Sequence, residues 1–469
     1  MESPAVTRFA PSPTGLIHFG NVRTALFNVL WARKTRGRFL LRIEDTDRAR
    51  SEERYVEALM EDLRWLGLDW DAGPGSAGES YYQSQRGAIY DRYFAALEAK
   101  GLVYPCFCTE QELKLARKTQ LAAGRTPRYS GRCRGLSAAD VAARRASGAT
   151  ASLRFRVPAG AVVAFEDVVR GPQRFATDDI GDFVIRRSDG TPAFFFSNAI
   201  DDATMQVTLV LRGEDHLSNT PRQMLLLEAL NLPVPRYGHI SLIVGADGAP
   251  LSKRHGSRTV RELRDAGYFP IAINNYLARL GHAFEDNALL SLDALAQGFE
   301  LARLGRAPAR YDADQLLHWQ REAIRQVDTD TLWAWMGAAT QALVPPGARD
   351  GFIDAVRANI GTPEQAAFWA RVVFTDDWPL SHAARATLTQ AGAPFFNEAA
   401  ASLADGADFK SLSQALQAKT GRKGKALFQP LRAALTGELD GPEMARLLPL
   451  ITVPRARHRL AAAAAIAAI

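Results

Sequence analysis

The chain is organised around one stretch near its beginning, Arg8-Phe9-Ala10-Pro11-Ser12-Pro13-Thr14-Gly15-Leu16-Ile17-His18-Phe19-Gly20-Asn21. A short apolar run leads into a turn that contains two prolines and a glycine. A helix is expected from about Asn21, because apolar residues recur at helical spacing over residues 22–30. Gly37 ends that helix, and residues 38–44 follow as a buried strand. The sequence therefore predicts a strand–helix–strand unit.

A turn that opens a helix suits a nucleotide phosphate, because free backbone N–H groups and the positive end of the helix dipole point outward. The turn contains neither Gly-x-Gly-x-x-Gly nor Gly-Lys-Ser/Thr, so it is not of the dinucleotide or Walker type. Gly20 allows ATP to approach the backbone, and His18 and Asn21 share the first helical turn. Taken alone, His-x-Gly fits a capped helix start with one incidental histidine better, and the later motifs reverse that preference.

The composition is that of a globular protein with about three or four domains, given 469 residues of which 47% are hydrophobic and 23% charged. A net charge of +6 favours an acidic partner such as nucleic acid without requiring one. Three cysteines are an odd number and a poor basis for a disulfide framework, which indicates a reducing compartment. The first residues lack a basic and apolar leader, and the apolar tract 460–469 is too short to span a bilayer. We therefore expect a cytoplasmic protein.

The element pattern divides the chain. Helices are expected from near Ser51 and up to Gly101, and residues 102–190 then change to short strands, turns and all three cysteines, which indicates an insertion. The α/β pattern returns with a strand over residues 207–211, whose carboxyl end carries Arg212-Gly213-Glu214-Asp215-His216, where open parallel sheets place their ligands. Beyond residue 260 the convincing segments are all helical, including 271–280, 313–320 and 331–342. The sequence predicts an interrupted α/β domain followed by an α-helical half.

Two helix starts carry capping signals. Thr220 is the expected N-cap of one helix, with Pro221 at its first position and Gln223 completing a capping box. Asp330 is the expected N-cap of the helix over residues 331–342.

Several motifs occur in the same order as in a known protein family. His18-Phe19-Gly20-Asn21 corresponds to the His-Ile-Gly-His signature of class I aminoacyl-tRNA synthetases, and Leu251-Ser252-Lys253-Arg254 to their Lys-Met-Ser-Lys-Ser loop. Arg42-Ile43-Glu44-Asp45-Thr46-Asp47 is characteristic of the glutamyl/glutaminyl branch. Further matches extend the resemblance over nearly the whole chain, at Tyr82-Gln-Ser-x-Arg86, Asp201-Asp202, Arg212–His216 and Pro430–Gly437. The chain thus resembles the glutamyl-tRNA synthetase family.

The resemblance implies a domain order and a reaction. The catalytic domain is Rossmann-like α/β in two halves, 1–101 and 191–248, with an inserted α+β acceptor-binding domain at 102–190. A stem-contact domain with the Lys-Met-Ser-Lys-Ser-like loop follows at 249–310, and an all-α anticodon-binding helical bundle at 311–469. The implied reaction joins L-glutamate to tRNA(Glu) through glutamyl-adenylate and releases AMP and diphosphate. The implied partners are ATP with Mg²⁺ and tRNA(Glu), with tRNA(Gln) left open, and the implied protein is a monomer that activates glutamate only with tRNA bound.

The resemblance assigns ATP to a set of polar and glycine residues, namely His18, Gly20, Asn21, Asp215, Ser252 and Lys253. Amino-acid activation needs positioning and charge stabilisation rather than covalent help, so His18 and Asn21 are expected near the α-phosphate and Lys253 against the departing diphosphate. These three are the expected catalytic residues. The alternatives are a solvated lysine for Lys253 and an ordinary helix-start acid for Asp215.

Glutamate is assigned to a second set, namely Arg8, Ser12, Glu44, Asn198 and Arg212. Arg8 and Arg212 are the candidates for its side-chain carboxylate, because a guanidinium fork forms two charge-assisted bonds that glutamine would largely lose. Glu44 is the candidate for the α-amino group. In the alternative interpretation, Arg8 and Glu44 are salt-bridge partners at strand ends. Phe194, where the family often has tyrosine, and Pro250, where it often has lysine, depart from the pattern.

The cysteines resemble the zinc site found in some members of the family, with Cys106, Cys108 and Cys133 as ligands. Gly135 stands where the usual fourth ligand, a histidine, is expected, and Tyr129 resembles the alternative fourth ligand of the glutamyl-queuosine enzymes. Two interpretations stay open: a Zn²⁺ site with these four residues, or a knuckle of three reduced cysteines.

Three other functions fit part of the sequence. A glutamyl-queuosine synthetase resembles only the catalytic part, so residues 311–469 count against it. A catalytically inactive paralogue that binds tRNA or another partner is favoured only by Pro250 and Phe194. A nucleotide-transferring enzyme with the same His-x-Gly turn would not explain residues 42–47 or the long helical tail. Residues 319–323 differ from the family's Trp-x-Asn stretch, which leaves the choice between the two tRNAs open.

Overall fold

The structure is a computed structural model that describes residues 3–47, 50–78, 80–124, 127–251, 258–403 and 408–468. It divides into two compact units. Unit 1 comprises Met1–Glu262 and Asn274–Asp312, and unit 2 comprises Leu263–Ile273 and Ala313–Ile469. Among the described helices, none combines the length and the apolar character needed to cross a bilayer.

The strands of the described chain are numbered β1 to β11 in order: Val6–Phe9, Arg38–Leu41, Val103–Cys106, Ser152–Phe155, Val162–Asp167, Gly171–Ala176, Phe183–Arg186, Leu209–Gly213, Arg236–Ile240, Ile243–Val244 and Ala309–Arg310.

The α-helices are numbered α1 to α21 in the same way: Phe19–Lys34, Glu53–Trp65, Gly87–Ala99, Glu110–Ala122, Ala138–Ala146, Thr177–Ile180, Phe194–Thr204, Thr220–Leu230, Val260–Asp265, Pro270–Arg279, Leu292–Gly298, Ala313–Gln326, Thr329–Gln341, Arg349–Val356, Pro363–Phe374, His382–Ala391, Ala393–Ser402, Phe409–Thr420, Lys425–Thr436, Met444–Leu447 and Val453–Ile466.

Parallel strands form the centre of unit 1. β1 pairs with β2 from Val6↔Arg38 onward, and β8 pairs in parallel with β9. β1 also lies beside β8, since the Thr208 amide donates to the Val6 carbonyl at 2.9 Å. Helix α1 packs against β1, β2 and β8 on one side and α11 on another. Burial on both sides explains why α1 is apolar around most of its circumference.

The segment between the two halves of this α/β core is of mixed α+β type. β3, β4 and β7 form a three-stranded antiparallel sheet with β4 at its centre. The hairpin of β5 and β6 does not stay separate, because β5 pairs with β9 at Asp167↔Tyr237. The four-stranded sheet therefore runs β6-β5-β9-β8 and brings Asp167 beside the core strands.

Unit 2 is helical in every element that the structure describes from residue 313 onward. Its core is an apolar cluster that includes Phe352, Phe396, Leu431 and Leu460. Buried Arg459 donates to the backbone carbonyls of Val372, Thr375 and Leu435, which lie at the C-terminal ends of α15 and α19. Carbonyl groups at a helix end have no N–H partner within the helix, and the guanidinium supplies the missing donors.

Several predicted boundaries were wrong. Helix α1 begins at Phe19, with His18 as N-cap, rather than at about Asn21. Helix α2 begins at Glu53 rather than near Ser51. β2 ends at Leu41, although the Arg42 and Glu44 amides still donate to the Phe9 and Pro11 carbonyls at 3.0 Å. The pairing thus continues beyond β2 without regular strand geometry.

Two predictions beyond residue 260 were also wrong. The N-cap of α13 is Asp328 and not Asp330, since its carboxylate accepts from the Thr331 amide at 2.9 Å. This region also contains the short strand β11, which pairs in parallel with β10 although helices alone were expected there. A two-residue strand leaves no periodic signal in a sequence.

Candidate active site

A cavity of about 580 Å³ lies in unit 1 at the carboxyl ends of β1 and β8 and at the start of α1. It is lined by every residue predicted to bind ATP or glutamate that the structure describes: Arg8, Ser12, His18, Gly20, Asn21, Glu44, Asn198, Arg212 and Asp215. Ser252 and Lys253 lie outside the described residues. Side chains from separate stretches of the chain therefore converge on one site.

The start of α1 presents an anion-binding surface to this cavity. His18 is extended as the N-cap, its own side chain makes no capping hydrogen bond, and the first turn of the helix contains no acid. Backbone N–H groups in this turn have no partner within the helix, so they and the helix dipole suit a phosphate. Among the described residues, a Cβ atom on Gly20 would meet the His18 ring alone, at 3.6 Å, so none of these neighbours demands glycine there. Desolvation lowers the pKa of His18, which keeps its imidazole neutral at pH 7.

Arg212 is a buried cation held by neutral acceptors. Its Nη2 donates to Gln223 Oε1 at 2.7 Å and to Thr220 Oγ1 at 2.8 Å, and its Nε donates to His239 Nε2 at 3.2 Å. Within the described part of the chain, Nη1 is buried without a hydrogen-bond partner. Desolvation lowers the pKa of Arg212 to about 10, so the group stays charged at neutral pH. We call Arg212, Thr220, Gln223, His239 and Asp167 the Arg212 cluster.

The expected cap at the start of α8 was therefore wrong, and the Arg212 cluster explains why. Thr220 is the first residue of the helix, and its N-cap is Asn219, whose side chain makes no capping bond. The polar side chains of Thr220 and Gln223 turn to Arg212 instead. The turn Glu214–Asn219 runs directly into α8 without an extended N-cap residue, and leaving the donors of a buried guanidinium unpaired is costly, so both side chains pair with Arg212.

Glu44 is a buried acidic residue, in contrast to the basic Arg212. It accepts a hydrogen bond from Asn198 Nδ2, and its Oε1 lies 3.7 Å from Arg42 Nη2. Burial raises the pKa of Glu44 to about 7, against the opposing effect of Arg42 and Arg8. A ligand ammonium near Glu44 would restore its charge.

Arg8 pairs with a carboxylate other than Glu44. Its Nε lies 3.1 Å from Asp202 Oδ1, and Asp202 also receives Arg42 Nη1 at 2.8 Å. The neighbouring Asp201 accepts from Arg86, Gln83 and Tyr90 at 2.7–2.8 Å. We call these groups the Asp201–Asp202 cluster: Arg8, Arg42, Gln83, Arg86, Tyr90, Asp201 and Asp202. The cluster reaches the cavity through Arg8, which lines it, and supports Glu44 through Arg42.

The remaining lining residues complete the site. A Cβ atom on Gly213 would meet the Asp215 carboxylate, so glycine at 213 lets this side chain keep its position at the cavity. The ring of Phe194, which carries no hydroxyl, lies 5.3 Å from the ring of His216. Desolvation and the charge of Arg212 lower the pKa of His216 to about 4.

Sequence reasoning missed His239 and Asp167 entirely. His239 Nδ1 lies 2.5 Å from Asp167 Oδ2, although the two residues are 72 positions apart in the chain. No local pattern marks either residue. The available signal was a histidine beside the apolar residues Ile240, Leu242 and Ile243, because a histidine in an apolar segment is uncommon without a partner.

The cysteine segment forms a second cluster in unit 1. The sulfurs of Cys106, Cys108 and Cys133 lie within 4.8 Å of one another, with Cys108 and Cys133 3.7 Å apart. Tyr129 Oη lies 3.4 Å from the Cys106 sulfur and 3.5 Å from the Cys108 sulfur. A tetrahedral zinc ion with bonds of about 2.3 Å to sulfur and about 2.0 Å to oxygen spaces its ligands by roughly 3.8 Å and roughly 3.5 Å. The four residues therefore fit this metal.

Comparison with known proteins bears on both units. Residues 4–318 match the family of tRNA synthetases class I (E and Q), catalytic domain, and residues 313–464 match an anticodon binding domain. The chain is 61% identical to glutamate–tRNA ligase 2 of Nitrosococcus oceani over 97% of each sequence. It is 57% identical to glutamate–tRNA ligase 1 of Methylococcus capsulatus, again over 97% of each.

Solved structures agree with these matches. The crystal structure of a glutamate–tRNA synthetase from Elizabethkingia anophelis superposes with a TM-score of 0.85 at 28% identity, covering 99% of this chain and 100% of that one. A glutamate–tRNA ligase from Elizabethkingia meningosepticum, solved in complex with its amino acid, gives 0.84 at 28% identity and 99% coverage of both chains. These matches confirm the predicted fold class, a Rossmann-like α/β catalytic domain followed by a helical C-terminal domain.

Proposed function

Because the chain belongs to the class I glutamate–tRNA ligase family, whose members join an amino acid to tRNA for translation, we propose that it ligates L-glutamate to tRNA(Glu). The reaction proceeds through glutamyl-adenylate and releases AMP and diphosphate. One observation carries the proposal: Arg212, a buried cation without a carboxylate partner among the residues that the structure describes, and Glu44, a buried carboxylate, line the same cavity as a helix N-terminus. Arg212 suits the side-chain carboxylate of glutamate, Glu44 suits its α-ammonium group, and the helix N-terminus suits the phosphates of ATP.

In this proposal ATP lies at the start of α1. The backbone N–H groups around Gly20, together with His18 and Asn21, bind near the α-phosphate, and Asp215 binds another part of the nucleotide. Mg²⁺ enters with ATP as part of the substrate. Lys253 and Ser252 receive their roles from the sequence motif: Lys253 neutralises the diphosphate as the α-carboxylate attacks, and Ser252 binds ATP beside it.

Glutamate lies beside the nucleotide. Arg212 binds its side-chain carboxylate, with Arg8 adding positive charge although Asp202 already pairs with it. Glu44, held by Asn198, binds the α-ammonium, and Ser12 lines the same cavity. Glutamine is rejected because its neutral amide cannot satisfy the buried charge of Arg212.

The roles of unit 2 and of the cysteine cluster are also proposals. Unit 2 binds the anticodon arm, which the anticodon-binding match supports, and the protein acts as a cytoplasmic monomer. The segment 102–190 binds the acceptor end, and residues 249–310 contact the stem.

A structural Zn²⁺ is held by Cys106, Cys108, Cys133 and Tyr129, which the donor spacing supports. Metal analysis of purified protein tests this: we expect about one zinc per wild-type chain, clearly less in Cys133→Ser, and an apparent absence in wild type would contradict it.

The decisive experiment is ATP-dependent attachment of labelled glutamate to tRNA(Glu) and, separately, to tRNA(Gln). We expect wild type to charge tRNA(Glu) and Lys253→Ala to charge it far more slowly. Charging of tRNA(Gln) as well would identify an enzyme that does not distinguish the two tRNAs. Failure of wild type with both tRNAs would contradict the proposal and favour a catalytically inactive paralogue.

A further inference from the structure

His239 lies behind Arg212 and is fully buried. Its Nε2 receives the Nε–H of Arg212 at 3.2 Å and lies 3.0 Å from Thr220 Oγ1. An arginine N–H can only donate, so Nε2 must be the unprotonated nitrogen of the imidazole. The ring proton therefore resides on Nδ1, which donates to Asp167 Oδ2 at 2.5 Å.

Asp167 is fixed before it meets the histidine. Its Oδ1 accepts from the backbone N–H groups of Val169 at 2.9 Å, Arg170 at 2.8 Å and His239 at 3.2 Å. Burial alone would raise the pKa of Asp167, but the bond from His239 and the backbone N–H groups outweigh it and lower the pKa below its usual range. The side chain is thus an anion with a set orientation.

We propose that Asp167 and His239 are positioning residues for glutamate recognition: Asp167 fixes the imidazole tautomer whose Nε2 accepts from Arg212, and so orients the guanidinium. This inference rests on the proposed role of Arg212 in binding the side-chain carboxylate of glutamate. Neither residue touches the substrate.

An imidazole is suited to this task because it orients Arg212 without neutralising it. A carboxylate placed directly on a guanidinium satisfies its charge, as Asp202 does for Arg8. Here the charge of Asp167 lies on the far side of the ring, and Arg212 Nη1 keeps no partner among the described residues. The positive charge of Arg212 remains available to a ligand carboxylate.

Asp167→Asn tests the tautomer. The amide oxygen of the asparagine can keep the backbone bonds, but its NH₂ group donates to Nδ1 and moves the ring proton to Nε2, where it opposes the Arg212 N–H. In aminoacylation of tRNA(Glu), we expect the KM for glutamate to rise about tenfold or more, the scale of one charge-assisted hydrogen bond, with the KM for ATP within about twofold. Asp182→Asn is the matched control, since buried Asp182 accepts from the Val157 amide at 2.8 Å and Tyr104 at 2.6 Å outside the cavity.

His239→Gln separates positioning from simple structural support. A glutamine amide reaches the place of Nε2 and can accept from Arg212, so we expect a smaller rise in the KM for glutamate than in His239→Ala. Because glutamine has no tautomer for Asp167 to set, Asp167→Asn should add no further rise in the His239→Gln background. Additive losses, or equal rises in the KM for glutamate and for ATP, would overturn the inference.

The two proposals fail differently. Wild type that does not charge tRNA(Glu) contradicts the proposed function. Wild type that charges it, with Asp167→Asn and His239→Ala both keeping the wild-type KM for glutamate, contradicts the positioning role alone. If Asp167→Asn does not fold, the comparison of His239→Gln with His239→Ala decides the inference.

Discussion

The Asp201–Asp202 cluster and the Arg212 cluster both bury guanidinium groups in unit 1, but they differ in what accepts from them. In the first, Arg8, Arg42 and Arg86 each lie within 3.1 Å of an aspartate oxygen. In the second, Arg212 meets a hydroxyl, an amide oxygen and an imidazole nitrogen. Paired charges form a scaffold, whereas a buried charge held by neutral acceptors is prepared for a charged ligand.

The difference has an energetic basis. A buried ion pair is costly to break, because removing one partner leaves an uncompensated charge in the interior. A buried cation without its counter-charge has already paid its own desolvation when the chain folds, so a ligand carboxylate that pairs with it has only its own desolvation to offset. The same side chain therefore serves stability in one cluster and recognition in the other.

The largest expected effect comes from Arg212→Gln. We expect kcat/KM for glutamate in aminoacylation to fall about a thousandfold, or ~4 kcal/mol, because a buried charge pair with the substrate is lost. Arg222→Gln is the control: Arg222 lies on α8 beside Thr220 and Gln223 but donates to the Ser218 carbonyl, and the KM of this variant for glutamate should not change. Equal losses in both variants would show that Arg212 is not special.

Asp202→Asn should reverse the pattern. We expect its free energy of unfolding in urea to fall by about 3–5 kcal/mol, since Arg8 and Arg42 lose a buried counter-charge. Arg212→Gln should change the same quantity by less than about 1 kcal/mol, because it removes a buried charge together with its desolvation cost. Similar destabilisation in the two variants would erase the distinction between scaffold and recognition cluster.

The pH dependence tests the carboxylate that faces the α-ammonium. Burial raises the pKa of Glu44 to about 7, so protonation below that pH removes the charge that glutamate needs. We expect kcat/KM for glutamate to fall about tenfold per pH unit below 7 and to level off above it. The pKa values of His18 and His239 are lowered by burial and that of His216 to about 4, so none of these accounts for an inflection near 7. The inflection should disappear in Glu44→Gln, and its persistence there would assign it to another group.

The smallest expected effect compares two threonines. Thr220 Oγ1 accepts from Arg212 Nη2 at 2.8 Å, and Thr204 Oγ1 accepts from Arg86 Nη2 at 2.9 Å. Thr220→Val should raise the KM for glutamate about fivefold, the value of one hydrogen bond of ~1 kcal/mol. Thr204→Val should leave that KM unchanged, since Arg86 keeps Asp201. A rise in both variants would mean that the clusters are coupled.

Much of the fold and site could be predicted, because the motifs are local. The turn before α1, the acidic stretch after β2 and the charged end of β8 can each be recognised from a few consecutive residues. All three meet at one cavity. The start of α8 could not be predicted correctly, because Thr220 and Gln223 have the spacing of a capping box while their partner Arg212 lies in the preceding strand. Local signals are the same for both outcomes, and only the competing buried group decides between them.

The sequence by itself determined which chemical groups this protein has, in what order, and that an α/β part precedes a helical one. Only the tertiary structure decided how those groups are paired. Arg212 of β8 lies beside His239 of β9 because the two strands pair in the sheet, and Arg8 of β1 lies beside Asp202 of α7 because the fold brings these two elements together. Charge pairing and desolvation act over a few ångströms in space, and separation along the chain does not report those distances.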